Sequence, residues 1–139
     1  MAPDFTDLNA VDANMEFVKV SLTDFKGKYV VLVFYPFDFT YVCPTELISF
    51  SENVSKFKEL GAEVIGISTD SHFTHLAWLK QARADGGLGK INYPLIADIS
   101  KQMSKDYGVL VTEDGDPMKG AAIRGMFILD TTHKIRSVQ

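Results

Sequence analysis

Tyr29-Val30-Val31-Leu32-Val33-Phe34-Tyr35-Pro36-Phe37-Asp38-Phe39-Thr40-Tyr41-Val42-Cys43-Pro44-Thr45-Glu46 is the stretch on which the fold turns. Its opening run, residues 29–35, is continuously apolar, β-branched and aromatic, the pattern of a central strand covered on both faces. Pro36 has no backbone N–H to offer a sheet ladder and stops the strand. Beyond Cys43 the period changes. Leu47, Phe50, Val54, Phe57 and Leu60 recur at helical spacing, and Gly61 is placed to end the helix. Strand, short loop and helix in succession predict one unit of a layered α/β domain.

Outward from that unit the same logic repeats. Residues 63–69 predict a second buried strand, after which Asp70 or Ser71 can cap a helix carrying Phe73, Leu76, Ala77 and Leu79. Gly86-Gly87-Leu88-Gly89 breaks the chain. A short strand over 94–97 precedes a helix from Asp98 or Ser100 to Tyr107, which Gly108 would end. Residues 113–117 are turn chemistry, and 121–129 and 133–138 read as strands joined by Asp130-Thr131-Thr132. Upstream, residues 18–22 alternate weakly and suggest an edge strand or hairpin arm. The order β-α-β-α-β-α-β-β implies an α/β fold with a mixed central sheet flanked by helices. With no repeat, linker or low-complexity tract, residues 1–139 are expected to form a single domain.

Composition excludes several classes. A hydrophobic share of 46%, with ten Phe, five Tyr and one Trp, supplies a core that a disordered chain lacks. A net charge of −4 without a Lys/Arg cluster argues against nucleic acid or an anionic membrane as the main partner. No apolar run has the length of a membrane span. The N-terminus lacks the basic start and apolar stretch of a signal peptide, so a cytoplasmic location is expected, with a removed presequence left open. Without that signal, the glycosylation sequon Asn53-Val54-Ser55 is taken as chance. One cysteine cannot form an internal disulfide. Residues 84–91 fail as a phosphate-binding loop, because Ala84 replaces its first glycine and Ile91 the hydroxyl residue after its lysine. His72, His75 and His133 show no zinc-ligand spacing with Cys43, so neither metal nor cofactor is expected. His72 and His75 are assigned to a solvated helix face, and Trp78 to the core or a subunit contact.

Cys43 falls just beyond the buried strand, at the predicted start of a helix. The unpaired N–H groups and positive dipole end there stabilise an anion and lower a thiol pKa, and the thiolate is the nucleophile. Packed as a small hydrophobe, the same residue would be inert. Thr40, three positions earlier, either brings its hydroxyl one helical turn from the sulfur or serves as a helix cap. Pro44 suits a first helical turn. Arg124 interrupts an apolar strand and, on a two-residue period, shares a face with Ala122, Met126 and Ile128. Buried, it needs an anion, for which Glu46 or the Cys43 thiolate would serve; otherwise it reaches water from the sheet edge.

Taken together these residues are very similar to the peroxiredoxin family, specifically its typical two-cysteine branch. The family's active-site pattern of Pro, Thr or Ser, and Cys is met by Pro36, Thr40 and Cys43. Residues 34–46, 70–78 and 106–109 resemble the branch throughout, and Arg124-Gly125-Met126-Phe127-Ile128-Leu129-Asp130 matches the segment carrying its active-site arginine. The resemblance implies a thioredoxin-like fold and a thiol peroxidase acting on hydrogen peroxide and organic hydroperoxides. Cys43 would attack the terminal peroxide oxygen and become a sulfenic acid, with Thr40 and Arg124 holding the oxygens. Pro36 and Pro44 would shield the sulfur, and Glu46 would orient Arg124. It further implies a homodimer or ring of dimers, with thioredoxin as reductant.

One departure is plain. The branch uses a second, resolving cysteine on a C-terminal arm, and these 139 residues hold only Cys43. Truncation, or an omitted tail, is the expected reason. Gly86-Gly87-Leu88-Gly89 is similar to a motif of members that over-oxidise, although as residues alone it is equally a glycine-rich turn. A holdase chaperone or redox-relay partner is the alternative class, and chaperone activity would survive Cys43→Ser where peroxide reduction would not.

Overall fold

The computed structural model describes residues 2–38, 45–83 and 87–138, without the side chains of Thr45 and Glu46. The strands are β1 (Leu8–Val11), β2 (Phe17–Val20), β3 (Tyr29–Phe34), β4 (Ala62–Ser68), β5 (Leu95–Ala97), β6 (Gly125–Leu129) and β7 (Ile135–Val138). They form one mixed sheet in the order β2-β1-β5-β4-β3-β6-β7. β3, β4 and β5 run parallel at its centre, and the flanking strands pair antiparallel. The helices are α1 (Thr45–Glu52), α2 (Val54–Glu59), α3 (His72–Lys80) and α4 (Gln102–Asp106).

The continuous apolar run of β3 has a direct cause. Val30, Leu32 and Phe34 point into one buried layer, with Ile65, Ile67, Met103, Tyr107 and Phe127. Val31, Val33 and Tyr35 point into the other, with Leu47, Trp78, Leu79 and Leu95. Successive side chains thus serve opposite faces, and both faces are covered. The mixed sheet with helices is as expected from the sequence. So are the strand after Gly61, the Ser71 cap, whose hydroxyl accepts from the Thr74 amide at 3.1 Å, and the stop at Gly108, with φ of 74°.

Three expectations need correction. The helix beyond Cys43 is two helices with Asn53 between them, whose backbone N–H and side-chain amide both donate to the Ser49 carbonyl, at 3.2 and 2.8 Å. β1 was not anticipated: four residues with Asn9 among them carry little periodic signal, yet Ala10 and Val11 are wholly buried against β5. β6 begins at Gly125 rather than at 121; upstream of it, Ala122 makes only an isolated bridge to Leu110 and Ile123 is exposed.

Candidate active site

The three parallel strands end at one edge of the sheet, where ligands commonly bind in open α/β folds. Tyr35, Pro36, Phe37 and Asp38 leave β3 there, and Ser68, Thr69 and Asp70 close and follow β4. The antiparallel register pairs Phe34 with Gly125, so Arg124 lies at the same edge, immediately before β6. Arg124 is exposed and lies one residue before β6 rather than within a strand over 121–129, in line with the reading in which it reaches water at the sheet edge. Pro36 is half-buried at the mouth of the loop. Thr40, Cys43 and Pro44 lie outside the described residues, and Glu46 is placed on α1 by its backbone alone. Of the expected site residues, therefore, Pro36 and Arg124 are brought to one edge.

A cluster that the sequence did not single out lies directly beneath. Asp38 is buried, and its carboxylate accepts from the Tyr35 hydroxyl at 2.7 Å and faces His75 Nδ1 at 2.5 Å. His75 is fully buried on α3, with Nε2 at 2.9 Å from the Ile96 carbonyl. The backbone N–H of Asp38 donates to the Asp70 carboxylate at 2.7 Å, and that carboxylate also accepts from the Ser68 hydroxyl at 2.7 Å. The Trp78 and Tyr35 rings lie 5.9 Å apart against it. The solvated face assigned to His75 is thus overturned. His75, Trp78 and Leu79 are buried at helical spacing, and this i, i+3, i+4 pattern is the signal that could have found it.

Burial works against a charged His75, but the hydrogen bond and charge of Asp38 outweigh it and hold the imidazole above its ordinary pKa. Asp70 is raised by burial and then by the Asp38 charge. Tyr35 is pushed well up by burial and by the same neighbour. Asp38, Asp70 and His75 offer ligand atoms within 4.8 Å of one another. Two ligand atoms on one zinc at about 2.0–2.1 Å would stand roughly 3.3 Å apart. The 2.5 Å contact between His75 and Asp38 is therefore the span of a shared proton.

The family model described as "AhpC/TSA family" matches residues 1–138, and the chain belongs to that family, whose solved members share this thioredoxin-like architecture. It is 50% identical over 137 residues to peroxiredoxin-2 of Rattus norvegicus, covering 99% of this chain and 66% of the relative. It is 53% identical over 117 residues to the mitochondrial thioredoxin-dependent peroxide reductase of Mus musculus, covering 84% and 44%. Among solved structures, Plasmodium yoelii thioredoxin peroxidase I matches with a TM-score of 0.92 at 42% identity, covering 99% of this chain and 76% of that one. Reduced Plasmodium vivax 2-Cys peroxiredoxin matches at 0.90 and 41%, covering 99% and 68%. The chain spans just under two thirds, 66%, of the length of the peroxiredoxin-2 relative.

Proposed function

We propose that this chain is a thiol peroxidase that reduces hydrogen peroxide and organic hydroperoxides with Cys43. The observation that carries the reading is the 50% identity, over 99% of the chain, to a peroxiredoxin. The convergence of Pro36 and Arg124 on the ligand-binding edge of the sheet supports it. In the proposed step the Cys43 thiolate attacks the terminal peroxide oxygen, an S–O bond forms, and the O–O bond breaks. The leaving hydroxide or alkoxide takes the electron pair and is protonated to water or alcohol, and Cys43 becomes a sulfenic acid. Arg124 and the Thr40 hydroxyl stabilise the charge that develops on the oxygens, a preorganised electrostatic role. Pro36 shields the sulfur, and Glu46 orients Arg124.

Recycling requires a second thiol, which attacks the sulfenic sulfur and expels water to form a disulfide. Cys43 being the sole cysteine of these residues, that thiol comes from elsewhere, and thioredoxin is the proposed final reductant. A homodimer, assembled further into a ring, is the proposed state. A cytoplasmic location is part of the same reading, and the mitochondrial relative marks its alternative.

The test is single-turnover peroxide consumption followed by intact mass spectrometry. One equivalent should be consumed with a sulfenic adduct on Cys43, none in Cys43→Ser, and about 10²-fold more slowly in Arg124→Ala, the loss typical of one oxyanion donor. Oxidation no faster than that of an ordinary free thiol would sink the proposal.

A further inference from the structure

Beneath the proposed site lies a buried polar network that the peroxidase reading does not use. We propose that His75 and Asp70 are positioning residues that, by gripping Asp38 from two sides, hold the segment leading to Cys43 in its peroxide-reactive geometry. The inference rests on the peroxidase reading of Cys43 and deepens it.

Asp38 is held at both side chain and main chain. Its carboxylate is fixed by Tyr35 at the end of β3 and by His75 on α3, and its backbone N–H by Asp70 after β4. Asp70 is itself steadied by Ser68, and His75 by the Ile96 carbonyl on β5. Four elements thus converge on one residue, two positions after Pro36 and five before Cys43. A carbonyl only accepts, so Nε2 of His75 carries a hydrogen; the remaining proton lies between Nδ1 and the Asp38 carboxylate.

Stability is a poor reason for this arrangement. Buried ion pairs give up much of their attraction to desolvation, and apolar residues of similar volume often serve as well or better. What apolar residues do not supply is direction: five hydrogen bonds of fixed geometry set the position of Asp38, the point from which the chain continues toward Cys43. Reaction of a thiolate with a peroxide bond demands such direction, since a misplacement near 1 Å can cost about 10²-fold. Alkylation of an accessible thiolate by a small reagent requires no such pocket.

That contrast defines the experiment. Second-order rate constants of Cys43 with hydrogen peroxide and with iodoacetamide are measured across pH for the wild-type chain, His75→Gln and Asp70→Ala, with circular dichroism confirming the fold. We expect the peroxide rate constant to fall about 10²-fold in His75→Gln and about tenfold in Asp70→Ala, while the alkylation rate and its pH midpoint stay put. Peroxide rates within about threefold of wild type in the folded variants overturn the inference, and so does an equal fall in both reactions, which means lost thiolate rather than lost positioning. Should His75→Gln fail to fold, Asp70→Ala, which removes the oxygen that accepts from both the Asp38 N–H and the Ser68 hydroxyl, carries the same comparison. A wild-type chain whose thiol shows no preference for peroxide removes the peroxidase reading and this inference together. A preference retained by the variants removes this inference alone.

Discussion

Gly66 shows how little room the centre of the sheet leaves. It sits on β4 opposite Leu95 of β5, and a Cβ there would stand 2.6 Å from Leu95 Cδ2 and 3.3 Å from Tyr93 Cε2. Both neighbours are buried, Leu95 completely, so neither has solvent to swing into. Tyr93 is also tied through its hydroxyl to the Leu47 carbonyl of α1 at 2.6 Å. Gly66→Ala should therefore destabilise the protein by about 1–3 kcal/mol, the usual cost of overpacking. Urea denaturation with an unchanged m-value would show it, and a loss below a few tenths of a kcal/mol would mean that the Leu95 side chain relaxes freely. The strain would be transmitted toward Tyr35, whose ring carbon lies 3.8 Å from the same point.

At the scale of elements, β7 ends the sheet and its outer edge has no partner among the described residues. Ile135 and Val138 are exposed on it, the latter by 60%, and Arg136 reaches back to Asp130 at 2.7 Å. An edge strand with apolar side chains is a template for pairing with another chain. We expect β7 to pair with β7 of a second copy in the proposed dimer. Ile135→Lys with Val138→Lys should weaken that dimer by tenfold or more, since burying each aliphatic side chain is worth about 1.5–3 kcal/mol. Sedimentation velocity over a dilution series measures the shift; an unaltered dimer places the contact on another face. Element boundaries also show what sequence patterns carry. β3 and β4 were legible because a strand covered on both faces is apolar at every position. β1 was not, because Asn9 interrupts four residues whose burial is decided by a partner far along the chain.

For the molecule as a whole, His75, Asp130 and Asp70 shape the pH response across the acid and neutral range. Tyr35, Tyr93 and Tyr107, all raised by burial, act only above the ordinary tyrosine value. His75 has a folded pKa above its ordinary 6.5, so its contribution is complete below 6.5 and is lost as pH rises through the folded value. Asp130 has the opposite sign. The Lys134 amide, the Thr132 hydroxyl and amide, and Arg136 hold it below the ordinary 3.8, so its contribution is present above 3.8 and is lost as pH falls through the lower folded value. Asp70, raised by burial, opposes Asp130 within the acid range. Denaturation midpoints should thus decline on both sides of a maximum, and the alkaline decline should shrink in His75→Gln. An alkaline limb identical in that variant would assign the loss to other groups. The same groups mark how far the site was legible. Pro36, Thr40, Cys43 and Arg124 stand out as short motifs, whereas Tyr35, Asp38, Asp70 and His75 act only once β3, β4 and α3 are side by side. Their hydrogen bonds join positions as far as 40 apart, beyond any local pattern.

The β1-β2 hairpin, attached to the far edge of β5, has a consequence for the newborn chain. Ala10 pairs with Ile96, and the Tyr107 hydroxyl reaches the Pro3 carbonyl across 104 positions at 2.7 Å. At ribosomal speeds of about 5–20 residues per second, the hairpin emerges roughly 5–20 s before its partners are made. Through that interval Ala10, Val11 and Val20 have no core to enter, so two strands made well before β5 dock only after it. The nascent protein thus carries an exposed, pairing-competent segment until β5 has been made, and holdases that bind short apolar strands should find it there.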